Sequence, residues 1–381
     1  MCIASSKPQR GISIALRSRR EHPLATDSLL QIDWVLTLGC YTHTNGFSPP
    51  VNYLNCFLFL FFMTRLSLSR GFKLYFSGVL IYGLGLLLIH YSGYQSLFAL
   101  KSLTLQTLTY FYLAYLLFSP FYYFLLASDT ESKPYIFLRW LKNSFHSCSL
   151  AWQKEERTAF LFLLVKLFFL PAMINFLFNN FNSVLPRIEM LPQFYWYPFF
   201  LTLLFAIDTL IFSVGYAFEF SSWKNKVKSV DPTLLGWLAA ILCYPPFNWW
   251  LGRYIPWGAN DYVFFWSPVL TSIFQIFLLF LLVVFVSATI SLGLKSSNLT
   301  NRGIVTRFPY SIIRHPAYTS KTLIWWLTLL PVVTWPFALG MLFWTAIYYL
   351  RAVTEERHLG QDPEYKTYCQ KVRYRFIPLI Y

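Results

Sequence analysis

The sequence predicts an all-α, polytopic membrane protein, a bundle of about eight transmembrane helices. Its 381 residues are 56% apolar and only 12% charged, a balance far from that of soluble domains. Apolar segments long enough to cross a bilayer recur at near-regular intervals, whereas transmembrane barrels show short segments of alternating polarity. The net charge is +15, and the basic residues lie between these segments. This distribution favours contact with anionic membrane lipids and argues against nucleic acid as a partner.

Residues 1–62 are expected to be a disordered or over-extended leader with no part in the fold. The first 50 residues are polar and rich in arginine, and the apolar run that ends at Met63 is too short to span. A targeting segment is the alternative, although no apolar core follows the arginines at the distance typical of a signal peptide.

Residues 63–298 are predicted to form a scaffold of six spans. The expected spans are 75–92, 104–126, 158–181, 196–217, 233–251 and 264–291. Pro245 and Pro246 must kink or end the fifth of them, because two backbone donors are missing there. Such a kink could open a cavity, or it could simply be a helix end.

A C-terminal module, residues 299–381, follows the scaffold. Its apolar run from Thr319 to Leu350 is too long for one crossing, and Pro331 and Pro336 lie near its middle. We therefore predict a helical hairpin over 320–334 and 336–352. A hairpin returns the chain to the membrane face that it left, which should bring Glu355 and Glu356 close to Arg314 and His315.

The distribution of basic residues predicts the orientation of the spans. Loops between alternate spans carry most of the lysines and arginines, and the remaining loops hold only Lys101, Arg187 and Arg253. By the positive-inside rule both chain termini, and the module's charged face, should be cytoplasmic.

Two ionisable residues fall inside predicted spans. Lys166 and Asp208 should both lie roughly 12 Å from the same membrane face, counted at 1.5 Å per residue. They could form a structural ion pair, although an intramembrane charge is also a functional candidate.

Six cysteines are scattered along the chain without a C-x-x-C pair. Their spacing indicates neither a disulfide framework nor a zinc site, and no other metal-ligand cluster is apparent in the sequence.

The two flanks of the hairpin carry the charged residues. Arg314 and His315 precede Pro316, which suits the first turn of a helix, and a helix N-terminus favours phosphate or carboxylate. A lipid-headgroup anchor is the alternative. On the returning helix Arg351 and Glu355 are four residues apart and could pair, which would leave Glu356 free.

A short amphipathic helix is predicted after the hairpin. Asp362 and Pro363 read as a helix N-cap and first helical residue. Tyr365 and Tyr368 then share one face, which could lie on the membrane or against the hairpin and bind a heterocycle.

Together these motifs resemble the C-terminal signature of the isoprenylcysteine carboxyl methyltransferases and their bacterial relatives, over about residues 300–381. The motifs read Arg314-His315-Pro316-x-Tyr318, Glu355-Glu356-x-x-Leu359 and Tyr365-x-x-Tyr368-x-x-x-Val372, followed by Ile377-Pro378. The first six spans carry no recognised signature.

The resemblance implies a fold and a function for this part of the chain. The protein would lie in a bacterial inner membrane and bind S-adenosylmethionine at the cytosolic membrane edge. The methyl group of this cofactor would pass to a carboxylate on a lipid-like or prenylated substrate. The cofactor-binding residues would be His315, Tyr318, Glu355, Glu356, Tyr365 and Tyr368.

The resemblance also implies which residues act on the acceptor. Arg314 or Arg351 would hold the acceptor carboxylate, and Glu356 would complete the catalytic set. No general base is needed for a carboxylate. A phospholipid amine would have to lose a proton first, with His315 or a glutamate as base.

The chain departs from the pattern in three places. Ser320 and Phe308 replace glycines, and the segment between Leu359 and Tyr365 is about two residues shorter than usual. The tail is also similar to that of the membrane sterol reductases, in which Lys371, Arg373 and Arg375 would suit the 2′-phosphate of NADPH. A non-enzymatic membrane protein with a decayed site is the third interpretation.

Overall fold

The computed structural model describes residues 53–126, 131–147, 151–189, 196–220, 222–378 and 380. The chain divides into two units, residues 1–63 and 64–381, and the candidate site lies entirely in the second. The expected leader lies outside the described residues up to position 52, and residues 53–62 are helical. The predicted boundary between scaffold and C-terminal module stays a prediction.

The described chain is helical almost throughout, which confirms the all-α class. The helices of its first half are α1 (Tyr53–His90), α2 (Ser92–Phe98), α3 (Ser102–Phe121), α4 (Lys133–Ser147), α5 (Lys154–Glu189) and α6 (Trp196–Ala217). Those of its second half are α7 (Leu234–Ile241), α8 (Phe247–Gly252), α9 (Pro268–Leu292), α10 (Pro316–Leu329), α11 (Trp335–Leu359) and α12 (Pro363–Lys371). Two short strands, β1 (Ser229–Val230) and β2 (Thr300–Asn301), pair antiparallel with Ser229 opposite Asn301.

Five helices in the described ranges are long and apolar enough to cross a membrane. They cover Arg70–His90, Lys154–Ile188, Trp196–Ala217, Pro268–Lys295 and Trp335–Leu359. The chain is therefore an integral membrane protein by its helices, but the expected count of eight spans is not confirmed.

The fifth expected span, over residues 233–251, is wrong as a single helix. The chain forms α7 and α8 instead, and the segment between them contains Pro245 and Pro246. Neither helix approaches the roughly 20 residues that a crossing needs. Likewise α10, in the first arm of the hairpin, has 14 residues and ends in a 3₁₀ turn that contains Pro331.

The centre of the bundle lies between α5 and α6. The ring of Phe169 stacks on that of Tyr216, with centroids 5.6 Å apart and planes 7° from parallel, and both side chains are fully buried. The other face of α6 packs with α9 and α10 through Leu201, Leu278 and Ile324. This packing holds the later turns of α10 against the middle of α9.

Lys166 and Asp208 do not pair. Lys166 Nζ donates to the carbonyl of Ala217 at 3.1 Å and lies over the Tyr82 ring. Asp208 Oδ1 instead accepts from Thr289 Oγ1 at 2.6 Å. The ion pair considered from the sequence is therefore wrong, because the two side chains leave α5 and α6 toward different neighbours.

A small cap of strands and helix joins the end of the bundle. Asp362 is the N-cap of α12 as predicted, since its side chain accepts from the amide of Glu364 at 3.0 Å. Its other oxygen accepts from Asn301 Nδ2 in β2 at 2.9 Å and from Lys228 Nζ at 3.2 Å. The cap thus ties α12 to the β ribbon.

Candidate functional site at the end of the hairpin

The hairpin brings the two charged motifs together at Glu356. Its Oε1 lies 3.0 Å from His315 Nε2, and its Oε2 lies 3.2 Å from Arg314 and 2.9 Å from Arg375. Glu356 is buried, so three basic groups compensate one carboxylate away from solvent. The expected meeting of the two motifs is thereby observed, and Glu356 is its centre.

The C-terminal tail completes this cluster through its backbone. The amide of Arg314 donates to the carbonyl of Tyr374, and the amide of His315 to that of Arg375, both at 2.9 Å. Thr319 Oγ1 donates to the carbonyl of Phe376 at 3.1 Å. These bonds fix the entry into α10, and they commit Arg375 to the cluster.

Glu355 bonds to a tyrosine. The Tyr318 hydroxyl donates to Glu355 Oε2 at 2.7 Å, and the Tyr318 ring stacks on His315, with centroids 5.4 Å apart. The pair of Glu355 with Arg351 that the spacing allowed does not form, because Tyr318 on the neighbouring helix takes the carboxylate.

Arg351 is buried among aromatic rings. Its guanidinium carbon lies 5.1 Å from the ring centroid of Tyr318, 5.6 Å from that of Tyr244 and 5.9 Å from that of Tyr348. Its Nη2 donates to Asn298 Oδ1. No carboxylate of the described residues lies within ion-pair distance of it. A buried charge without a counter-ion is costly, so Arg351 is suited to bind an anion.

These groups border a cavity of about 380 Å³, within the range of small-molecule sites. Five predicted residues line it, namely Arg314, His315, Tyr318, Arg351 and Glu355. The segment between α7 and α8 contributes Cys243, Tyr244 and Pro245 to its wall, so the proline kink does border a cavity.

A second cavity of about 470 Å³ adjoins the first. The two share lining residues, including Phe205, Tyr348 and Lys321. Its further walls include four tryptophans, Trp249, Trp257, Trp325 and Trp344. Lys321 lies at this junction with its Nζ between 5.4 and 5.7 Å from three ring centroids, those of Phe285, Trp325 and Tyr348.

Three predicted site residues, Glu356, Tyr365 and Tyr368, are not among the lining residues of the first cavity. Tyr365 and Tyr368 pack with Val372 against Ile304 and Tyr310. The Tyr368 hydroxyl donates to the carbonyl of Tyr310 at 2.7 Å, and burial raises the pKa of both phenols. The structure therefore places these tyrosines behind the wall that Tyr310 forms.

The departures from the sequence pattern are accommodated locally. Ser320 is buried, and its hydroxyl donates to the carbonyl of Pro316 at 2.8 Å within α10. The shortened turn before α12 is closed by two backbone bonds, from Gly360 to Glu356 at 2.7 Å and from Asp362 to Leu359 at 2.8 Å. Both segments keep their polar groups satisfied.

Some residues of the site were missed in the sequence. Asn298 and Tyr244 touch Arg351 from distant segments, and nothing in the sequence marks them. His358 lines the cavity as well, and its spacing of seven residues from Arg351 on one helix could have found it. No group of His, Cys, Asp and Glu in the described chain could hold a metal ion.

One comparison with known protein families found a match in the C-terminal part of the chain. The family model that matches is that of the phospholipid methyltransferases, over residues 264–362. It covers α9 to the N-cap of α12, with Arg314, His315, Arg351, Glu355 and Glu356 inside it. The signature recognised in the sequence is thereby confirmed for this part of the chain. No curated protein and no solved structure matches the chain.

Proposed function

We propose that the protein is a membrane-embedded, S-adenosylmethionine-dependent methyltransferase whose acceptor is a lipid-like molecule with an anionic group. One observation carries the proposal: Arg351 is buried at the wall of the cavity without a carboxylate partner in the described structure. An anion on the acceptor would supply the missing counter-charge. Arg314 is less suited to this role because it is committed to Glu356.

The residues of the first cavity fit the cofactor. The faces of Tyr244, Tyr318 and Tyr348 already stabilise a cation, and such faces also suit a sulfonium. Glu355 and His315 could bind the polar groups of the amino acid or the ribose. When bound, S-adenosylmethionine supplies a methyl group on a positively charged sulfur. Tyr365 and Tyr368 would support the cavity wall from behind, through their contacts with Tyr310.

The chain would contribute position and electrostatics. Glu356 holds His315 and Arg314 in place, and the tail restrains the same two residues, so the cavity wall is set before a ligand arrives. Arg351 would orient the acceptor anion. With a carboxylate acceptor, the transfer removes one positive and one negative charge, which a water-poor cavity favours. This acceptor needs no base, and we place it first.

A phospholipid amine is the second acceptor. The description of the matching family model favours it, and so does the position of Glu355 one helical turn from Arg351. A carboxylate and a guanidinium on one face could bind an ammonium and a phosphate. In either case the second cavity, with its aromatic walls, would take the hydrocarbon part of the acceptor.

The orientation inferred from the basic loops would place this site at the cytoplasmic leaflet, with both chain termini on that side. The cofactor would then enter from the cytosol and the acceptor from the bilayer. The arrangement would be supported if the lysines of the basic loops reacted with a membrane-impermeant reagent only after the cells are opened.

Ligand binding by the detergent-purified protein tests the proposal. S-adenosylmethionine, S-adenosylhomocysteine and NADPH are titrated separately, and methyl transfer is then assayed with an S-prenylated N-acetylcysteine and with phosphatidylethanolamine vesicles. Binding of both adenosyl ligands and transfer to one acceptor are expected. Binding of NADPH alone would support the reductase interpretation, and binding of none would support a decayed site.

A further inference from the structure

One face of α11 runs along the first cavity. Arg351, Thr354, Glu355 and His358 all line it, at positions i, i+3, i+4 and i+7. This spacing places the four side chains in one row on the helix. The row begins at the buried guanidinium that we assign to the acceptor anion and ends at an imidazole.

His358 has one nitrogen without a partner. The side chain is 5% exposed, and its Nε2 lies 3.2 Å from Ser229 Oγ in β1. Its Nδ1 is buried and makes no hydrogen bond within the described chain. Leaving a buried polar atom unsatisfied costs free energy, so natural proteins keep few of them. An imidazole that donates from Nε2 to Ser229 would keep the Nδ1 lone pair available to a ligand.

The bases considered from the sequence, His315 and the two glutamates, are committed to other partners. His315 Nε2 faces Glu356 Oε1 at 3.0 Å, and Glu355 Oε2 accepts from Tyr318 at 2.7 Å. Glu356 is surrounded by basic groups and does not line the cavity. Among the described candidates, His358 is therefore the base with an unsatisfied buried nitrogen at the cavity.

We propose that Nδ1 of His358 accepts the proton of an ammonium group on the acceptor. The inference depends on the proposed function, because it names the base for the amine class of acceptor. The acceptor ammonium gives its proton to Nδ1, which becomes an imidazolium. The nitrogen lone pair then forms the bond to the methyl carbon as the carbon–sulfur bond breaks, and its electrons stay on sulfur. The imidazolium later returns the proton to solvent.

The surroundings of His358 suit a group that changes charge. Burial has the largest influence and disfavours a positive imidazole, and Arg357 also opposes it, whereas Asp231, from the segment before α7, and Glu355 on its own helix favour it. Asp231 is itself held by Thr233, whose amide and hydroxyl donate at 2.9 and 2.7 Å. Arg357 lies 4.0 Å from Asp231, which moderates its effect.

The test compares His358→Gln with the unchanged protein across pH, with phosphatidylethanolamine vesicles as the amine acceptor and an S-prenylated N-acetylcysteine as the carboxylate acceptor. Glutamine can keep the bond to Ser229 but has no nitrogen at Nδ1. We expect the amine reaction to slow by about 100-fold at neutral pH, in the range of general acid–base catalysis. The deficit should shrink as the pH approaches about 10.4, the pKa of an alkylammonium, because the amine then deprotonates without help. The carboxylate reaction needs no base, so it should slow much less than the amine reaction.

Ser229→Ala is the second variant. It leaves the histidine in place but removes the hydroxyl beside Nε2, so a smaller loss with the same pH trend is expected. Binding of S-adenosylmethionine, measured by titration, reports whether each variant is folded.

The outcomes separate the two proposals. If no variant and no unchanged protein binds S-adenosylmethionine, the proposed function fails. If the cofactor binds and the amine reaction is unaffected by His358→Gln, or if only the carboxylate is methylated, the proposed function stands and the role of His358 is overturned. A loss that does not vary with pH would also overturn it, since a merely structural role predicts that result.

Discussion

Glu356 Oε1 and His315 Nε2 lie 3.0 Å apart, although 41 residues separate them in the sequence. Two helices and their connection lie between the two residues, so the distance reports that the hairpin is closed. The contact also sets which nitrogen of His315 faces the carboxylate. Any change that opens the hairpin should therefore lengthen the distance between these two atoms first.

Glu356→Gln should destabilise the protein. The substitution removes the charge that compensates Arg314 and Arg375 and weakens the contact with His315, and we expect a loss of about 2 kcal/mol in the free energy of unfolding. Thermal unfolding in detergent measures it. The matched control is Glu364→Gln, whose partner Lys228 is exposed, so its effect should stay within about 0.5 kcal/mol. Equal effects of the two substitutions would argue against a central role for Glu356.

Arg351→Met should impair binding of the acceptor more than binding of the cofactor. Methionine fills much of the same volume but removes the positive charge, so the KM for the acceptor should rise about 30-fold, equivalent to about 2 kcal/mol. The affinity for S-adenosylhomocysteine, measured by calorimetry, should change much less. Arg302→Met is the control, because Arg302 is as deeply buried but does not line the cavity. A similar rise of KM in the control would contradict the assignment.

Asp362 should make stability depend on pH. Burial alone would raise its pKa, but hydrogen bonds from Asn301 and the Glu364 amide, with Lys228 nearby, hold the pKa below its usual value. A carboxyl whose pKa is lower in the folded state stabilises the protein above its unfolded pKa, about 3.9. That contribution is lost as the pH falls through the lower, folded value.

The measurement is the melting temperature of the unchanged protein and of Asp362→Asn between pH 6 and 3. Asparagine is also a good N-cap, so the variant should lose mainly the charge. The difference between the two proteins should be largest at pH 6 and should decrease toward pH 3. A difference that does not change with pH would contradict the expectation. Glu131→Gln, which affects a half-exposed pair with Arg139, serves as the control.

Gly340→Ala should loosen the packing of α11. A Cβ at this position would lie 1.8 Å from the carbonyl oxygen of Pro256, which is backbone and cannot rotate away. Overpacking of this kind costs about 1–3 kcal/mol. Gly85→Ala in α1 is the control, since nothing lies within 4 Å of its Cβ, and alanine there should be neutral or stabilising. The two variants are compared by their unfolding midpoints in detergent. Equal midpoints would show that the backbone at Pro256 moves to make room for the added Cβ.

The parts of the structure that the sequence predicted depend on local patterns. The helical class follows from composition, the N-cap at Asp362 from a dipeptide, and the approach of Glu356 to Arg314 from the length of the apolar run between them. Each of these needs only neighbouring residues or the fact that a hairpin returns. The family model that matches residues 264–362 confirms the recognition, and it contains the first two of the motifs on which the recognition rested.

The contacts that the sequence did not predict depend on which neighbouring element each side chain packs against. Glu355 could bond to Arg351 on its own helix, but Tyr318 on another helix takes it. Lys166 and Asp208 are close in predicted depth but face different neighbours. Helix periodicity gives the face of a side chain and leaves open which element packs against that face. For the same reason the aromatic surroundings of Arg351 could not be foreseen.

The contact between Arg375 and Glu356 has a consequence for biosynthesis. Arg375 follows Glu356 by 19 residues, a stretch short enough to lie inside the ribosomal exit tunnel, and the two side chains lie 2.9 Å apart in the folded chain. Glu356 therefore leaves the ribosome only after Arg375 has been made, so the end of the hairpin and the tail become available to each other together. A message truncated after α12 would yield a protein without Arg375 and therefore with an incomplete cluster at Glu356.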